Sequence, residues 1–372
     1  MGKRVLITGG AGFIGSHLAD ELLRHGYRVR ALDSLDPQVH GAAPARPAYL
    51  DQEVELHVGD VCDPAALARA LEGVDAVVHL AAAVGVGQSM YRIAHYTRVN
   101  NLGTATLLEA LIQRPPERLV IASSMSVYGE GLYRDADGAT VSGAARRPED
   151  LAAGRWEVYD AAGRPLSPIP TPETKPPALA SVYALSKYDQ ERMALIVGGA
   201  YGVPTVALRL FNVYGPRQAL SNPYTGVLAI FSSRLLNGQP PLVYEDGAQL
   251  RDLVSVYDVA RAFRLALESP AAPGEVLNIG SGRHYSIREV AERMAQAMGK
   301  GHIAPEITGK YRVGDVRHCY ADISRAQDLL GYRPEVFLDE HLGEMAAWLE
   351  AQTADDRAPE ALRELEVHRL TR

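Results

Sequence analysis

The stretch Val5-Leu6-Ile7-Thr8-Gly9-Gly10-Ala11-Gly12-Phe13-Ile14-Gly15 decides the fold of this chain. Its apolar start predicts a buried strand, and the glycines that follow open an amphipathic helix. Gly9 permits a tight turn, Gly12 lets a pyrophosphate approach the backbone, and Gly15 lets the helix pack closely on the strand. The phosphate then lies at the positive end of the helix. We therefore predict a dinucleotide-binding strand–turn–helix unit, with Phe13 and Ile14 among its contacts.

Asp33 indicates which dinucleotide this unit takes. It lies at the end of the next predicted strand, 18 residues after Gly15. A carboxylate at this point accepts hydrogen bonds from an adenosine ribose and would repel a 2′-phosphate. The sequence therefore favours NAD over NADP as the cofactor.

Strands and helices alternate along the chain. Strands are predicted at 5–7, 29–32, 54–58, 76–80, 119–122, 205–210 and 276–279. Helices are predicted at 97–113, 183–200, 226–236, 256–267, 286–298 and 338–349, and Gly26 ends the helix that the glycine turn opens. This alternation predicts an α/β fold with a doubly wound parallel sheet.

The length of 372 residues exceeds one ordinary core, so we expect a large domain and a smaller lobe. Residues 1–212 and 255–280 are assigned to the NAD-binding domain. Residues 213–254 and 281–350 are assigned to an α/β substrate lobe. The charged residues 351–372 are expected to form a peripheral or disordered tail.

Residues 130–180 interrupt the alternation. They are rich in Gly, Ala and charge, and six prolines lie between 165 and 177, so no long helix is expected. Two interpretations of this insertion remain open, a neutral surface elaboration and a flap over the active site.

Composition excludes several classes of partner. The formal charge of −7 argues against nucleic acid or an anionic membrane surface as the main partner. The two cysteines, Cys62 and Cys319, cannot form a disulfide framework or a cysteine-rich zinc site, and we expect no metal. The first residues lack the long apolar stretch of a signal peptide, and no apolar run approaches membrane-spanning length. A cytoplasmic protein is expected.

Tyr183 and Lys187 stand four residues apart in Ser-Val-Tyr-Ala-Leu-Ser-Lys. On a helix, both side chains leave the same face one turn apart. An ammonium near a phenol favours the phenolate, so we predict that Lys187 lowers the pKa of Tyr183 from its usual value of about 10. A phenol tuned in this way can take a proton from a sugar hydroxyl while hydride leaves the same carbon.

Two further stretches follow predicted strands at the edge where such a sheet binds a dinucleotide. Asp60 and Val61 are placed to meet the adenine. Leu80, Ala81 and Ala82 are placed to line the pyrophosphate and nicotinamide side, where small side chains leave room for a ligand. His79, just before them, is expected to be a packed histidine rather than a catalytic one.

Five motifs occur together in one order: Gly-Gly-x-Gly-x-x-Gly at 9, Asp60-Val61, His-Leu-Ala-Ala at 79, Ser-Ser-x-x-Val-Tyr-Gly at 123 and Tyr-x-x-x-Lys at 183. In this combination the chain resembles the extended short-chain dehydrogenase/reductase family, in its nucleotide-sugar 4-epimerase branch. The resemblance covers about residues 1–350, apart from the insertion.

The resemblance implies roles for individual residues. Tyr183 is the base and then the acid, Ser124 hydrogen-bonds the sugar 4-hydroxyl and helps to pass its proton, and Lys187 holds the nicotinamide ribose. Ser123 is implied as a further NAD contact. Asn100 matches a residue that props the active-site backbone, although it could equally be an ordinary polar residue of a helix.

The residues after Ser124 discriminate among the reactions of the family. Dehydratases resembling this chain have Asp-Glu there, decarboxylating members have a Glu at the second position, and 3,5-epimerase/reductase members have a Cys. This chain has Met125-Ser126, which supplies neither a carboxylate nor a thiol. What remains is oxidation and re-reduction at one carbon, or a single redox step.

The resemblance also implies a site for a nucleotide-diphosphate sugar. Its residues are Ser126, Asn212, Arg217, Arg251, Arg312 and Asp315, with the arginines gripping the phosphates and Asp315 meeting the nucleotide ribose. The stretch 222–227, the insertion and Met125-Ser126 look most like the dTDP-L-rhamnose 4-epimerase group. The alternatives are a UDP-hexose or UDP-hexuronate 4-epimerase, a sugar-nucleotide dehydrogenase or reductase, and a non-catalytic NAD-binding protein. Relatives commonly dimerise through helices matching 91–113 and 183–200, so a homodimer is expected.

Overall fold

A computed structural model describes residues 2–41, 45–219, 226–312, 314–350 and 358–371. Its strands are β1 (Arg4–Thr8), β2 (Arg28–Asp33), β3 (Glu55–Val58), β4 (Ala76–His79), β5 (Arg118–Ser124), β6 (Leu132–Arg134), β7 (Thr140–Val141), β8 (Ser167–Ile169), β9 (Thr205–Leu210), β10 (Asn212–Tyr214), β11 (Leu242–Val243), β12 (Leu250–Arg251), β13 (Leu253–Ser255), β14 (Val276–Ile279), β15 (Tyr285–Ser286), β16 (Glu306–Ile307) and β17 (His318–Cys319).

Its α-helices are α1 (Phe13–Arg24), α2 (Pro37–His40), α3 (Pro64–Ala70), α4 (Val86–Ser89), α5 (Ile93–Tyr96), α6 (Gly103–Gln113), α7 (Pro148–Ala152), α8 (Val182–Tyr201), α9 (Val227–Leu236), α10 (Val256–Glu268), α11 (Ile287–Ala297), α12 (Ser324–Leu330), α13 (Leu338–Glu350) and α14 (Ala358–Val367). A π-helix spans Thr97–Leu102, and a 3₁₀ turn spans Met125–Tyr128. The helix predicted at 97–113 therefore exists, but its first six residues are wound more widely.

The central sheet has seven strands in the order β14-β9-β5-β4-β1-β2-β3, and every neighbouring pair is parallel. This confirms the predicted doubly wound parallel sheet. The chain moves outward from β1 to β3, then returns to β4 on the other side of β1. The strand order reverses between β1 and β4, and ligands of such sheets bind at the carboxyl ends of the strands at this point.

Burial on both faces explains the apolar runs of these strands. Val5 and Ile7 pack in one core with side chains of α1 and α10, whereas Leu6 faces a second core with side chains of α3, α6 and α8. All three are fully buried, as strands covered by helices on both sides must be. The glycine turn therefore begins at the end of a strand that packing on both faces holds in place.

The second lobe packs α9, α11 and α13 around its own core, which includes Phe231, Met294 and Met345. Three short sheets accompany this core: β10 with β13, β11 with β16, and β12 between β15 and β17. Among the residues that the structure describes, no helix is both long enough and apolar enough to cross a membrane.

The insertion 130–180 is folded rather than irregular. Strands β7, β6 and β8 form an antiparallel sheet over a small core of Tyr133, Val158 and Leu166. Backbone bonds from Gly131 to His318 and from Thr171 to Tyr320, both 2.8 Å, attach it to the segment that enters and leaves β17. The insertion is therefore a fixed wall joined to the second lobe.

The expectation of a peripheral or disordered tail fails for residues 358–371. Residues 358–367 form α14, because Ala361 and Leu365 recur at helical spacing and are both buried. Leu365 lies against Gly87, and the Tyr91 hydroxyl donates a 2.6 Å hydrogen bond to Glu364. The segment ends at a β-bridge between Thr371 and Arg312, so it contacts both lobes.

Candidate active site

The glycine turn fits a phosphate. A Cβ on Gly9, whose φ is +72°, would lie 2.9 Å from the Ala81 nitrogen, and a Cβ on Gly15 would lie 2.3 Å from the Gly9 oxygen. The protein's own packing therefore requires glycine at both positions. A Cβ on Gly12 would meet only the Gly9 oxygen, at an ordinary 3.4 Å. No side chain caps α1 at Gly12, so the exposed backbone there suits an approaching pyrophosphate.

Asp33 holds this turn from the end of β2. Its Oδ2 accepts a 3.0 Å hydrogen bond from the Ala11 nitrogen, and its Oδ1 accepts one of 2.9 Å from the Leu35 nitrogen. The Tyr49 hydroxyl donates to the Ala11 oxygen on the other side of the turn, at 2.9 Å. A carboxylate oxygen has a second lone pair, so Asp33 can still accept from a ribose.

The other predicted NAD contacts border the same edge of the sheet. Leu80 to Ala82 are partly exposed and follow β4, beside the glycine turn. The Asp60 carboxylate accepts from the Cys62 nitrogen and pairs with Arg98 at 3.1 Å. Val61 is buried and lies against Gly103, so only its backbone can meet a ligand. Phe13 and Ile14 are partly buried in the first turn of α1.

His79 is a packed histidine, as expected. Its Nδ1 lies 2.7 Å from the Thr8 hydroxyl, and its Nε2 lies 2.9 Å from the Thr104 hydroxyl. Burial, and to a lesser degree the charge of Lys187, lowers the pKa of His79 to about 3. The ring is therefore neutral and connects β1, β4 and α6.

Asn100 lies in the π-helix and is fully buried. Its amide donates to the Ala83 oxygen at 3.1 Å and accepts from the Ala83 nitrogen at 2.7 Å. The same amide donates to the Ser186 hydroxyl at 2.8 Å. Asn100 therefore holds the backbone after β4 at a fixed position against α8.

Tyr183 and Lys187 lie one turn apart near the start of α8. The helix begins where the Ser181 side chain accepts from the Ala184 nitrogen, and the Tyr183 nitrogen donates to the Ser89 hydroxyl at 3.0 Å. The Tyr183 ring meets Tyr96 edge-on at 6.4 Å.

The electrostatics differ from the sequence prediction. Burial raises the pKa of Tyr183 above its usual value, and a hydrogen bond with Ser124 opposes that shift. The Lys187 ammonium donates a 2.7 Å hydrogen bond to Gln190. Burial also lowers the pKa of Lys187 to about 7, against the pull of Glu191. The predicted lowering of the Tyr183 pKa is thus wrong for the protein chain alone, because burial has the larger effect.

Gln190 is a site residue that the sequence reasoning missed. Its side-chain nitrogen donates to the Thr104 hydroxyl at 2.7 Å, while its oxygen accepts from Lys187. Gln190 therefore links Lys187 to the group that holds His79. The sequence signal that could have identified Gln190 is its position three residues after Lys187, on the same helix face.

Ser124 ends β5 and faces Tyr183. Its oxygen accepts from the Ser126 hydroxyl at 2.9 Å and from the Ser126 nitrogen at 3.2 Å. Ser123 points elsewhere, because its hydroxyl donates to the buried Glu191 at 2.7 Å. Successive side chains of a strand alternate between faces, so the Ser123 hydroxyl lies on the face opposite that of Ser124, and its NAD contact stays a prediction.

Three of the predicted phosphate-site residues lie together, and we call Arg251, Arg312 and Asp315 the clamp. Arg312 donates to Asp315 Oδ2 at 2.8 and 3.1 Å, and Arg251 Nη2 lies 3.5 Å from Asp315 Oδ1. Burial alone would raise the pKa of Asp315, but Arg312, Arg251 and Arg146 lower it to about 2. Arg312 remains 42% exposed and also covers the Tyr244 ring, so it can turn toward a ligand.

Asn212 and Arg217, two further residues of the predicted substrate site, have different contacts. The buried Asn212 Oδ1 has no hydrogen-bond partner within the described chain, which suits an acceptor awaiting a ligand. Arg217 pairs with Asp20 at 2.8 Å and lies over Tyr49, whose hydroxyl bonds to the glycine turn. Arg217 therefore contacts α1 and the residue that bonds to the glycine turn, and its phosphate contact stays a prediction. Residues 222–225 of the predicted motif lie outside the described residues.

Known proteins resemble this chain over most of its length. The model of the NAD dependent epimerase/dehydratase family matches residues 5–280. A dTDP-L-rhamnose 4-epimerase of Burkholderia thailandensis is 37% identical, over 95% of this chain and 96% of that protein. A putative UDP-glucose 4-epimerase of Methanocaldococcus jannaschii is 31% identical, over 93% and 98%.

Solved structures agree with these relatives. A UDP-glucose 4-epimerase of Thermotoga maritima, solved with UDP-glucose, has a TM-score of 0.75 at 30% identity and covers 93% of this chain and 98% of its own. A UDP-glucuronic acid 4-epimerase of Bacillus cereus, in complex with UDP-glucuronic acid and NAD, has a TM-score of 0.75 at 28% identity, over 93% and 99%. With the glycine turn, Ser124, Tyr183 and Lys187 in place, the chain belongs to the NAD-dependent epimerase/dehydratase family.

Proposed function

We propose that this protein is an NAD-dependent nucleotide-sugar 4-epimerase that interconverts dTDP-L-rhamnose and dTDP-6-deoxy-L-talose. The observation that carries the reaction is the hydrogen bond between Ser124, at the end of β5, and Tyr183, with Lys187 one turn further along α8. The identity of the substrate is supported by the 37% identity to the dTDP-L-rhamnose 4-epimerase of B. thailandensis.

The side chains suggest a division of labour. The phenol of Tyr183 takes the proton of the sugar 4-hydroxyl and later returns it, with the Ser124 hydroxyl between them as relay. Ser126 donates to Ser124 and so leaves the Ser124 proton free to be donated to Tyr183. NAD, when bound, supplies reversible hydride transfer at the sugar C4 and a cationic ring that favours a nearby phenolate.

The turn after Ser124 limits the chemistry to one carbon. Met125 packs against the main core and Ser126 is bonded to Ser124. Neither supplies the carboxylates that elimination of water requires. The 4-keto sugar therefore has one productive fate, which is reduction from the opposite face after it turns over in the pocket.

UDP-sugars are the alternative substrates. The T. maritima and B. cereus structures contain UDP-glucose and UDP-glucuronic acid, so a UDP-hexose or UDP-hexuronate 4-epimerase is the second candidate. The clamp recognises a diphosphate and does not by itself select between the bases.

Nuclear magnetic resonance of product mixtures tests this proposal. The purified protein is incubated, without added cofactor or reductant, with dTDP-L-rhamnose, UDP-glucose, UDP-glucuronic acid and UDP-N-acetylglucosamine. We expect a mixture of C4 epimers from dTDP-L-rhamnose and no net change in NADH absorbance. Conversion of a UDP-sugar alone would favour the second candidate. Stoichiometric accumulation of NADH would instead indicate a dehydrogenase, and the absence of any conversion would indicate a non-catalytic NAD-binding protein.

We also propose a homodimer. A groove lined by Ile93, Leu102, Met193 and their neighbours lies on the outer faces of α5, the π-helix and α8, and both Ile93 and Leu102 are 53% exposed. Apolar exposure of this kind marks an association surface. Leu102→Glu should convert the protein to monomers in analytical ultracentrifugation, whereas Ile307→Glu, on the exposed edge of the second lobe, should not. A monomeric wild type would refute the proposal.

A further inference from the structure

The insertion brings a buried cation to the clamp. Arg146 lies between α7 and β7, and only 3% of its side chain is exposed. Its guanidinium donates to the Asp315 backbone oxygen at 2.6 Å and to the Glu245 carboxylate, and its Nε lies 3.2 Å from Glu130. Arg146, a residue of the insertion, thus binds the backbone of Asp315, and Arg251 and Arg312 contact the carboxylate of the same residue.

Arg146 also neutralises carboxylates that face this site. Glu245 is shared between Arg146 and Arg317, the latter at 2.9 Å. Glu130 accepts from the Arg317 backbone nitrogen, but Arg146 is the guanidinium paired with it among the ion pairs of the described residues. Without Arg146, Glu130 would be a buried anion lacking a cation, and Glu245 would lose one of its two. Buried unpaired carboxylates beside a bound diphosphate repel it strongly, because the local dielectric constant is low.

Each of the three guanidinium nitrogens of Arg146 makes one of these polar contacts, and the side chain is buried. It therefore acts on a ligand through the clamp rather than by touching the ligand itself. None of its described contacts reaches Ser124, Tyr183 or Lys187. Its influence should fall on nucleotide affinity and leave the chemical step unchanged.

We infer that Arg146 is a positioning residue for nucleoside-diphosphate binding: it fixes Asp315 and cancels the charge of Glu130 and Glu245, so that Arg312 can turn toward the phosphates beside Arg251. This inference rests on the substrate class of the proposed function. It also gives the insertion a role that is neither a flap nor a neutral elaboration, because the insertion forms the rear wall of the phosphate site.

The test uses the NAD-loaded full-length protein with UDP and dTDP as probes. Calorimetry gives their dissociation constants for wild type, Arg146→Gln, Arg146→Lys and the double variant Arg146→Gln/Glu130→Gln, because Glu130 is the carboxylate that the loss of Arg146 leaves without a cation. Arg164→Gln is the matched control, because Arg164 lies in the same insertion, is 49% exposed and pairs with Asp160 and Asp137. Steady-state rates on the substrate that wild type converts separate KM from kcat.

We expect Arg146→Gln to raise the dissociation constant and KM about tenfold or more, with kcat within about twofold. The double variant should recover most of the lost affinity, because it removes the uncompensated charge, and Arg146→Lys should lie between wild type and Arg146→Gln. A role in folding alone would lower the free energy of unfolding and leave the dissociation constants of the folded variants unchanged.

Unchanged affinity in Arg146→Gln, or a loss that the double variant deepens, would overturn the inference. If Arg146→Gln does not fold, the dissociation constants of Arg146→Lys and of the double variant test the inference in the same way. A wild type that binds neither nucleotide also overturns it. A wild type that binds a nucleotide but converts no sugar would refute the proposed epimerase and leave the affinity test of Arg146 valid.

Discussion

The cofactor side and the nucleotide side of this site are constructed differently. The cofactor side is made of backbone, since the turn at Gly9 to Gly15 and the strand ends of β1, β2 and β4 are fixed by close main-chain contacts. The nucleotide side is made of long side chains that meet from separate segments, as Arg146 and Glu245 do across 99 positions. The cofactor side therefore depends on local backbone geometry, whereas the nucleotide side depends on ion pairs between residues that are far apart in the sequence.

This difference has an energetic side. Arg317 is fully buried and donates to Glu157, Glu245 and Asp246 at distances of 2.6 to 3.1 Å. Burying such charges is costly unless every donor is paired, and here the pairing is complete enough to offset that cost. The ion pairs of the nucleotide side therefore depend on one another, so the loss of one charged residue leaves its partners unpaired.

The largest expected effect separates chemistry from binding. Tyr183→Phe removes the ionisable oxygen on the cofactor side and nothing on the nucleotide side, so kcat should fall at least about 10³-fold, the scale of general acid–base catalysis. Affinity for NAD and for dTDP or UDP should stay unchanged. Turnover by NMR and binding by calorimetry measure the two effects.

Tyr201→Phe is the control for this change, since Tyr201 ends the same helix and is 56% exposed. It should behave as wild type. Turnover of the Tyr183→Phe protein at a rate near wild type would remove Tyr183 from the mechanism, whatever the nucleotide side does.

The sequence predicts the cofactor side well because that side is local. The glycine turn, Asp33 and the strands around them follow from periodicity and glycine spacing, and the structure has the expected sheet. The pKa direction of Tyr183 was predicted wrongly, because a Tyr–Lys spacing does not reveal burial.

The nucleotide side is only partly predictable. Motif context indicated Arg251, Arg312 and Asp315, but also Arg217, which pairs with Asp20 near α1. Arg146 has no periodic or motif signature, because its partners are fixed only when the insertion packs on the second lobe. Side-chain networks between distant segments depend on tertiary structure, which no local pattern encodes.

The second effect tests whether the nucleotide side is the cooperative one. Arg317→Met should lower the free energy of unfolding by about 3–5 kcal/mol, the cost of leaving buried carboxylates without their cation. Arg164→Met removes an exposed ion pair in the same insertion and should leave the free energy of unfolding nearly unchanged. Urea denaturation of both variants measures the contrast. Equal, small losses would show that the Arg317 cluster is not a cooperative unit.

A third, smaller effect depends on pH and belongs to the cofactor side. The pKa of Lys187 is about 7 in the folded chain and about 10.5 when unfolded, so between these values the unfolded chain binds more protons. The free energy of unfolding should therefore rise with pH across this window, relative to Lys187→Met, by about 1.4 kcal/mol per pH unit at most. From pH 7.5 to 9 the stability advantage of Lys187→Met should shrink by about 2 kcal/mol in cofactor-free protein. A constant difference between the two proteins would show that the ammonium is not buried as described.

The smallest expected effect tests whether backbone contacts alone form the cofactor side. Ala at Gly12 meets no obstacle within the protein and keeps a φ of −75°, so Gly12→Ala should leave stability unchanged or slightly higher. NAD affinity should nevertheless fall about tenfold, or about 1.4 kcal/mol, because the new methyl group stands where the pyrophosphate approaches. Gly15→Ala should instead lose stability, since its Cβ would lie 2.3 Å from the Gly9 oxygen. Equal NAD affinity in Gly12→Ala and wild type would mean that the cofactor does not approach this turn, and the cofactor side would then need side-chain contacts of its own, as the nucleotide side does.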